Sequence, residues 1–216
     1  MGVAAPPGAG DDRRVGIDAI VLPVDGWRLV EDTPTLRRWL GDHDDQLALS
    51  YFAAPDPMPI DPHDADDVRR FARALAVAAG GGLIEADRWR HTGHLGMRSI
   101  SKLPQTPSGF TYVGDLIGQR QAGFAIKLEC REAGTTGLRE TAVALELGID
   151  PAPGPLARWF GRGPRWEADL YDPRLRAPVM RTQADDPRWD ARFPDHPLSR
   201  VRRHLAAVAA GMRVTD

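Results

Sequence analysis

Residues 123–132 read GFAIKLECRE, a stretch in which apolar and polar side chains alternate. The apolar side chains would share one side of an extended chain: Phe124, Ile126, Leu128 and Cys130. A period of two is typical of a β-strand that has one face on a hydrophobic core and the other in water. The alternation therefore predicts an antiparallel sheet whose charged face is solvated.

Three segments before this one have the same period, at residues 83–89, 95–103 and 110–117. Short polar connections that contain glycine or proline separate them, and such connections favour hairpins. We therefore predict a four-strand meander, in which each strand pairs with its neighbour along the chain.

Further strands are predicted nearer the N-terminus, at residues 17–22, 27–31 and 46–53. Between the last two, Thr33 and Pro34 have the pattern of a helix N-cap followed by proline at the first helical position. This pattern predicts a short helix that ends at Leu40.

Helical periodicity is clearest at residues 64–79, where apolar residues recur at steps of three and four. Two more helices are predicted, at residues 137–147 and 197–211. The fold class is thus α+β: an antiparallel sheet, made of the four-strand meander plus two or three N-terminal strands, with helices packed on it.

The chain is predicted to form one domain over residues 15–216, preceded by a flexible tail at residues 1–14. Residues 148–165 are rich in proline and glycine and resemble a linker. They also contain aromatic side chains, which are rare in solvated linkers. We therefore predict a loop that packs on the domain.

Composition argues against several classes of function. The chain has 28 basic and 30 acidic side chains and a formal net charge of −2, so no global field attracts nucleic acid or an anionic membrane. The single cysteine cannot form an internal disulfide, and no apolar run is long enough to span a bilayer. We expect a cytoplasmic protein without nucleic-acid or membrane partners, and no motif points to a cofactor.

The order strand, helix, strand, long helix, four-strand meander and helix resembles the PsbP-like fold of extrinsic photosystem proteins and DcrB-type proteins. The resemblance covers about residues 15–147 and rests on Trp27, the strand at residues 47–52, the helix at residues 64–79 and the meander. It implies a binding or adaptor protein, in some members a secretion chaperone, because that fold has no shared catalytic apparatus.

Two histidines and one cysteine are the first candidates for chemistry. His91 and His94 lie three residues apart, a spacing that could bind a metal from a helix, but a hairpin turn around Gly93 favours two solvated histidines. Cys130 could act as a nucleophile beside a histidine, but its place in the apolar alternation favours core packing. We therefore predict no metal site and no catalytic residue here.

The turn at residues 134–140, GTTGLRE, joins the last meander strand to a helix. Thr135, Thr136 and Arg139 could hold an anion there with the amides of the helix start; in the alternative, threonine simply caps the helix. On the polar face of the preceding strand, Glu129 is a further candidate binding residue. For Glu129 the alternative is a solvated charged face.

Two segments near the C-terminus complete the candidates. An exposed aromatic anchor for a partner could be formed by Trp159, Phe160 and Trp166, which could equally close over the sheet. Residues 195–200, DHPLSR, hold an acid, an imidazole and a hydroxyl, but helix capping explains them better than a hydrolytic triad. The arginines of the last helix are expected on its solvated face: Arg200, Arg202 and Arg203.

Two functions are compatible with these residues. The first is a non-enzymatic binding or adaptor module, chaperone-like in some members of the fold, that recognises a protein or peptide partner; a homodimer also fits. The alternative is an enzyme of specialised metabolism with a small-molecule pocket between sheet and helices, using Glu129, Arg139 or Glu140 and a histidine. Convergent ionisable groups in a closed pocket would favour the enzyme, and a flat surface with exposed tryptophan would favour the adaptor.

Overall fold

The computed structural model describes residues 16–54, 56, 58–120, 122–149, 167–172, 174–177 and 179–215. The predicted tail at residues 1–14 lies outside these ranges, as does the predicted packed loop except for its first two residues.

Nine strands and three α-helices follow one another within the described ranges. In chain order they are β1 (Ile20–Val21), β2 (Arg28–Asp32), β3 (Leu36–Leu40), β4 (Gln46–Phe52), α1 (Ala65–Ala78), β5 (Gly82–His91), β6 (His94–Pro104), β7 (Phe110–Gln119), β8 (Gly123–Arg131), α2 (Leu138–Leu147), α3 (Pro197–Gly211) and β9 (Arg213–Val214).

Seven of these strands form one antiparallel sheet in the order β2-β3-β4-β8-β7-β6-β5. Strands β5 to β8 pair consecutively, so the predicted meander is confirmed. The N-terminal strands extend it because β4 pairs with β8 along its whole length, from Gln46 opposite Glu129 to Phe52 opposite Gly123. The fold is α+β, as the sequence predicts.

The alternation in β8 separates the two faces of the sheet. The apolar side chains predicted to share one face are all buried: Phe124, Ile126, Leu128 and Cys130. Lys127 and Arg131, which alternate with them, are exposed. The period of two in the sequence thus predicts correctly which side chains of β8 face the core and which face solvent.

Helix α3 covers the core face of the sheet. Leu198, Val201 and Leu205 are buried in the same hydrophobic cluster as β8. Gly114 of β7 lies beneath the helix, where an added β-carbon would come within 3.0 Å of Val201 Cγ1. A side chain at position 114 would therefore require Val201 and Leu205 of the helix to shift.

Helix α1 covers part of the opposite face, mainly over β5 and β6. Its buried residues Val68, Ala72 and Ala76 pack against Met97 and neighbouring side chains. The side chain of Asp64 accepts the Asp66 N–H and so caps the helix. The amphipathic helix predicted at residues 64–79 is confirmed.

The helix predicted between Thr33 and Leu40 is wrong, because Leu36–Leu40 form strand β3 between β2 and β4. Thr33 Oγ1 accepts the Leu36 N–H at 3.0 Å, which is also the contact that an N-cap makes with the third helical residue. The local signal is therefore the same for a turn and for a helix. The strand prevails because Trp39 is buried in the core and both edges of β3 are hydrogen bonded, whereas two isolated helical turns are unstable.

Strands β1 and β9 form a separate two-stranded sheet, in which Ile20 pairs with Val214. The strand predicted at residues 17–22 is only partly extended, since Ile17–Ala19 form one turn of 3-10 helix. Ile17 and Ile20 are nevertheless buried in the core beneath α3.

Candidate functional site

A cleft of about 400 Å³ lies where the turn before α2 meets the segment that enters α3. Ionisable groups and apolar side chains line it together: Glu132, His196, Leu138, Phe193, Pro194 and Pro197. Cavities of about 300–1,000 Å³ are large enough for a small ligand or for side chains of a partner. This cleft is therefore the first place to look for function.

The carboxylate of Glu132 joins three segments at the cleft. Oε2 accepts the Phe110 N–H at 3.0 Å, and Oε1 accepts the Gly137 N–H at 3.4 Å and lies 3.4 Å from His196 Nε2. Burial alone would raise the pKa of this carboxyl, but the nearby His196 imidazole and the hydrogen bonds from the two amides outweigh burial and lower the pKa below its usual value. Glu132 is therefore ionised at neutral pH and fixes the start of α2.

His196 is the N-cap of α3. Its Nδ1 accepts the Leu198 N–H at 3.2 Å, and Pro197 occupies the first helical position. In a neutral imidazole the nitrogen that accepts carries no proton, so the ring proton is assigned to Nε2, which faces Glu132. Nδ1 is therefore occupied by the cap, whereas the buried Nε2 makes no hydrogen bond among the described residues.

Glu140 brings a second carboxylate to this pair. Its Oε1 accepts a hydrogen bond from the Tyr112 hydroxyl at 3.2 Å, and its buried Oε2 has no hydrogen-bond partner within the described part of the chain. Burial and nearby carboxylates raise the pKa of the Tyr112 hydroxyl well above its usual value, so it remains a donor. One ligand atom each of Glu132, Glu140 and His196 lies within 4.8 Å of the others. We call these three residues the carboxylate–imidazole cluster.

Arg139, which the sequence suggested for anion binding, is turned into the protein. Its buried guanidinium donates to Ala184 O at 2.7 Å, Ser199 Oγ at 2.8 Å and Asp190 Oδ1 at 2.9 Å. Ser199 in turn donates to Asp190 at 3.1 Å. Ser199 therefore belongs to this network, whereas the predicted capping of the last helix is done by His196.

The other residues suggested for anion binding have different surroundings. Thr135 lines the cleft, and Thr136 Oγ1 lies 3.3 Å from Ser108 Oγ. The Gly137 amide already has the Glu132 carboxylate as its acceptor, in the place that a bound anion would take at a helix start. Thr135 and Arg139 both line the cleft and Thr136 does not, and anion binding at this turn stays a prediction.

The solvated face predicted for the last helix is wrong for two of its three arginines. Arg200 is buried and makes two hydrogen bonds of 2.9 Å with the carboxylate of Asp45. Arg202 Nη2 lies 3.0 Å from Glu85 Oε2, and Arg203 is exposed. Long arginine side chains can reach acids that distant segments bring under the helix, which helical periodicity does not reveal.

A buried ion pair fixes the segment before α3 on strand β6. Lys102 Nζ donates to Asp185 Oδ2 at 2.6 Å, and both side chains are at most 2% exposed. The backbone and hydroxyl of Thr182 donate to the same oxygen. Burial alone would raise the pKa of Asp185, but Lys102 and Thr182 outweigh burial and lower it. The residues that follow Asp185 along the chain, including Phe193 and His196, form one wall of the cleft. This wall is therefore connected to a segment that the ion pair fixes on the sheet.

Glu129, another suggested binding residue, lies on the opposite face of the sheet from α3. Its carboxylate lies 3.4 Å from Lys127 Nζ and 3.9 Å from Arg131 Nη2. It is therefore part of a row of charges on that face and not of the cleft. The suggested aromatic anchor lies outside the described residues: Trp159, Phe160 and Trp166.

His91 and His94 flank the two-residue turn between β5 and β6, as predicted. His94 is buried beside Phe124 rather than solvated, with ring centroids 5.3 Å apart, and burial lowers its pKa. Cys130 is buried in the core, as predicted, and burial raises the pKa of its thiol far above the usual value. A thiolate nucleophile at Cys130 is thus unfavourable.

The carboxylate–imidazole cluster was missed by the sequence analysis. Glu132 lies two residues before the GTTGLRE segment and Glu140 is its last residue, and that proximity was the available signal. Nothing local brings His196 to them, because it comes from a segment beyond α2 that only the tertiary fold places there.

Comparison with protein-family models and with curated proteins finds no match for the chain. Among the described residues, no helix has the length and apolar character that crossing a bilayer requires.

Proposed function

We propose that the chain is a non-enzymatic binding module that recognises a protein or peptide partner through the cleft and the adjoining side of α2. The observation that carries this proposal is the exposure of Leu138 and Leu145, which are 60% and 77% exposed. The two lie seven residues apart and therefore on one side of the helix. We call Leu138 and Leu145 the leucine face.

The leucine face is continuous with the cleft because Leu138 also lines it, together with Phe193, Pro194 and Pro197. Contiguous apolar surface on a folded domain marks an interaction site more often than scattered single residues do. A partner segment with apolar side chains at helical spacing would bury this surface. A PsbP-like fold, in which binding proteins predominate, remains a prediction that agrees with this function.

The ionisable groups of the cleft support binding over catalysis. A general base needs a lone pair that can reach the substrate. The Glu132 oxygens accept two amides, and the His196 ring has Leu198 on one nitrogen and Glu132 near the other. These contacts hold the walls of the cleft together, which favours a structural role for both residues in a binding site.

Replacing both residues of the leucine face with glutamate tests the proposal. We expect affinity capture from the source cells to recover a partner with the unmodified chain and to lose about nine-tenths of it with Leu138→Glu/Leu145→Glu, because a buried carboxylate would oppose docking. The matched control is Leu75→Glu/Leu170→Glu, at leucines that are 43% and 49% exposed and do not line the cleft. Equal recovery with all three proteins, or repeated recovery of the chain alone, would contradict the proposal.

A second candidate function is the small-molecule enzyme, and the specific observation in its favour is the carboxylate–imidazole cluster beside the cleft. Glu140→Gln distinguishes the two candidates. It should leave partner capture unchanged if the leucine face is the functional surface. It should instead abolish turnover of any small molecule that the cleft converts.

A further inference from the structure

Two atoms in the carboxylate–imidazole cluster lack the partners that burial demands. Glu140 Oε2 and His196 Nε2 are buried, and neither has a hydrogen-bond partner among the residues that the structure describes. The His196 side chain is only 10% exposed, and its Nε2 points at Glu132 Oε1 from 3.4 Å. Two carboxylates that share a buried site repel each other unless a proton or a cation lies between them.

We propose that the cluster binds one divalent cation of the zinc class. Its donors are two carboxylate oxygens, from Glu132 and Glu140, and one imidazole nitrogen, from His196. Zinc accepts oxygen and nitrogen ligands together, whereas magnesium and calcium prefer oxygen alone. Three protein ligands leave a fourth position for water or for a ligand that enters through the cleft.

The spacing of the donors suits this cation after a small contraction. Neighbouring ligands of tetrahedral zinc lie about 3.3 Å apart. His196 Nε2 and Glu132 Oε1 are already 3.4 Å apart, and no pair exceeds 4.8 Å. A movement of at most about 1.5 Å at Glu140 would complete the set, and its buried Oε2 has no hydrogen bond to lose among the described residues.

The surroundings of Glu132 support the same site. The amides of Phe110 and Gly137 donate to its carboxylate and fix its orientation. Hydrogen bonds of this kind hold the ligands at metal sites and keep them in the geometry that the ion requires. Glu132 and His196 both line the cleft, which provides a route of entry for the ion.

Binding through His196 Nε2 has a consequence for helix α3. The ring proton must move from Nε2 to Nδ1, and the neutral ring keeps one proton throughout. Nδ1 can then no longer accept the Leu198 N–H, so the cap contact of 3.2 Å is lost. The free energy of binding zinc to three protein ligands is large beside the loss of one capping hydrogen bond. The Leu198 amide therefore reports on the occupancy of the site.

Calorimetric titration of the full chain with zinc chloride, checked by elemental analysis, tests the site. We expect one zinc per chain and binding weakened about tenfold or more in both Glu140→Gln and His196→Asn. Asparagine is a preferred N-cap residue, so His196→Asn removes the imidazole while keeping the cap. The control His91→Ala should bind zinc as the unmodified chain does.

Three results would overturn the proposal: no zinc bound by the unmodified chain, binding by Glu140→Gln and His196→Asn as tight as that of the unmodified chain, or loss of binding in His91→Ala. A second measurement addresses the imidazole directly. In a ¹H–¹⁵N spectrum, zinc should shift the Leu198 amide resonance of the unmodified chain and leave it in place in His196→Asn. An unmoved Leu198 resonance at zinc saturation would show that His196 is not a ligand.

Discussion

Asp115 carries a carboxyl on the charged face of the sheet, where Ser99 and Lys127 are its neighbours on the adjacent strands. Burial raises the pKa of this carboxyl from 3.8 to about 6, although Lys127 acts in the opposite direction. The folded chain therefore holds this proton more tightly than the unfolded chain does. Ionisation of Asp115 opposes folding increasingly as the pH rises from 3.8 to about 6, and by a constant amount above that.

Asp115→Asn keeps the size of the side chain and removes its ionisation. We expect the variant to gain free energy of unfolding relative to the unmodified chain as the pH rises, by up to about 3 kcal/mol between pH 4 and pH 8. Urea unfolding across this range measures the gain, with Asp25→Asn, at an exposed residue, as the control. A difference for Asp115→Asn that is constant with pH would contradict the raised pKa.

Among the secondary-structure elements, the periodicity of apolar residues correctly predicted the long strands and helices that bury one side against the core. Strand β8 and helices α1 and α3 were found because their apolar residues repeat over nine or more positions. Strand β3 was mistaken for a helix because five residues cannot distinguish the two periods and Thr33 makes the same local hydrogen bond in both. Its partners, β2 and β4, decide its structure, and pairing is not a local property.

Helix α3 is a second case in which local periodicity is insufficient, because its arginines differ in burial although the helical period places them all on the polar side. Arg200→Met removes the arginine from the buried carboxylate of Asp45, which keeps His204 Nε2 at 3.7 Å, whereas Arg203 is exposed. We expect Arg200→Met to lower the free energy of unfolding by about 3–5 kcal/mol, and Arg203→Met to change it by no more than about 0.5 kcal/mol. Chemical denaturation at neutral pH measures both.

The double variant Asp45→Asn/Arg200→Met should recover part of the loss, because no unpaired charge then remains buried. Equal effects of Arg200→Met and Arg203→Met would show that the contact between α3 and Asp45 contributes little to stability.

At the scale of the whole molecule, the cleft depends on ion pairs between segments that are far apart in the chain. Lys102 with Asp185 and Arg139 with Asp190 connect β6 and α2 to the segment before α3. The sequence shows these charges but not their partners, because many pairings of 28 basic and 30 acidic side chains are possible. The fold class could therefore be predicted, whereas the candidate site could not.

The central claim is that the leucine face binds a partner, and site-specific photo-crosslinking in the source cells tests it most directly. A photoreactive phenylalanine analogue at position 145 or 138 should give an adduct of one defined mass. The same analogue at position 170, also an exposed leucine, should give none. No adduct at position 145, or the same adducts at position 170, would contradict the claim.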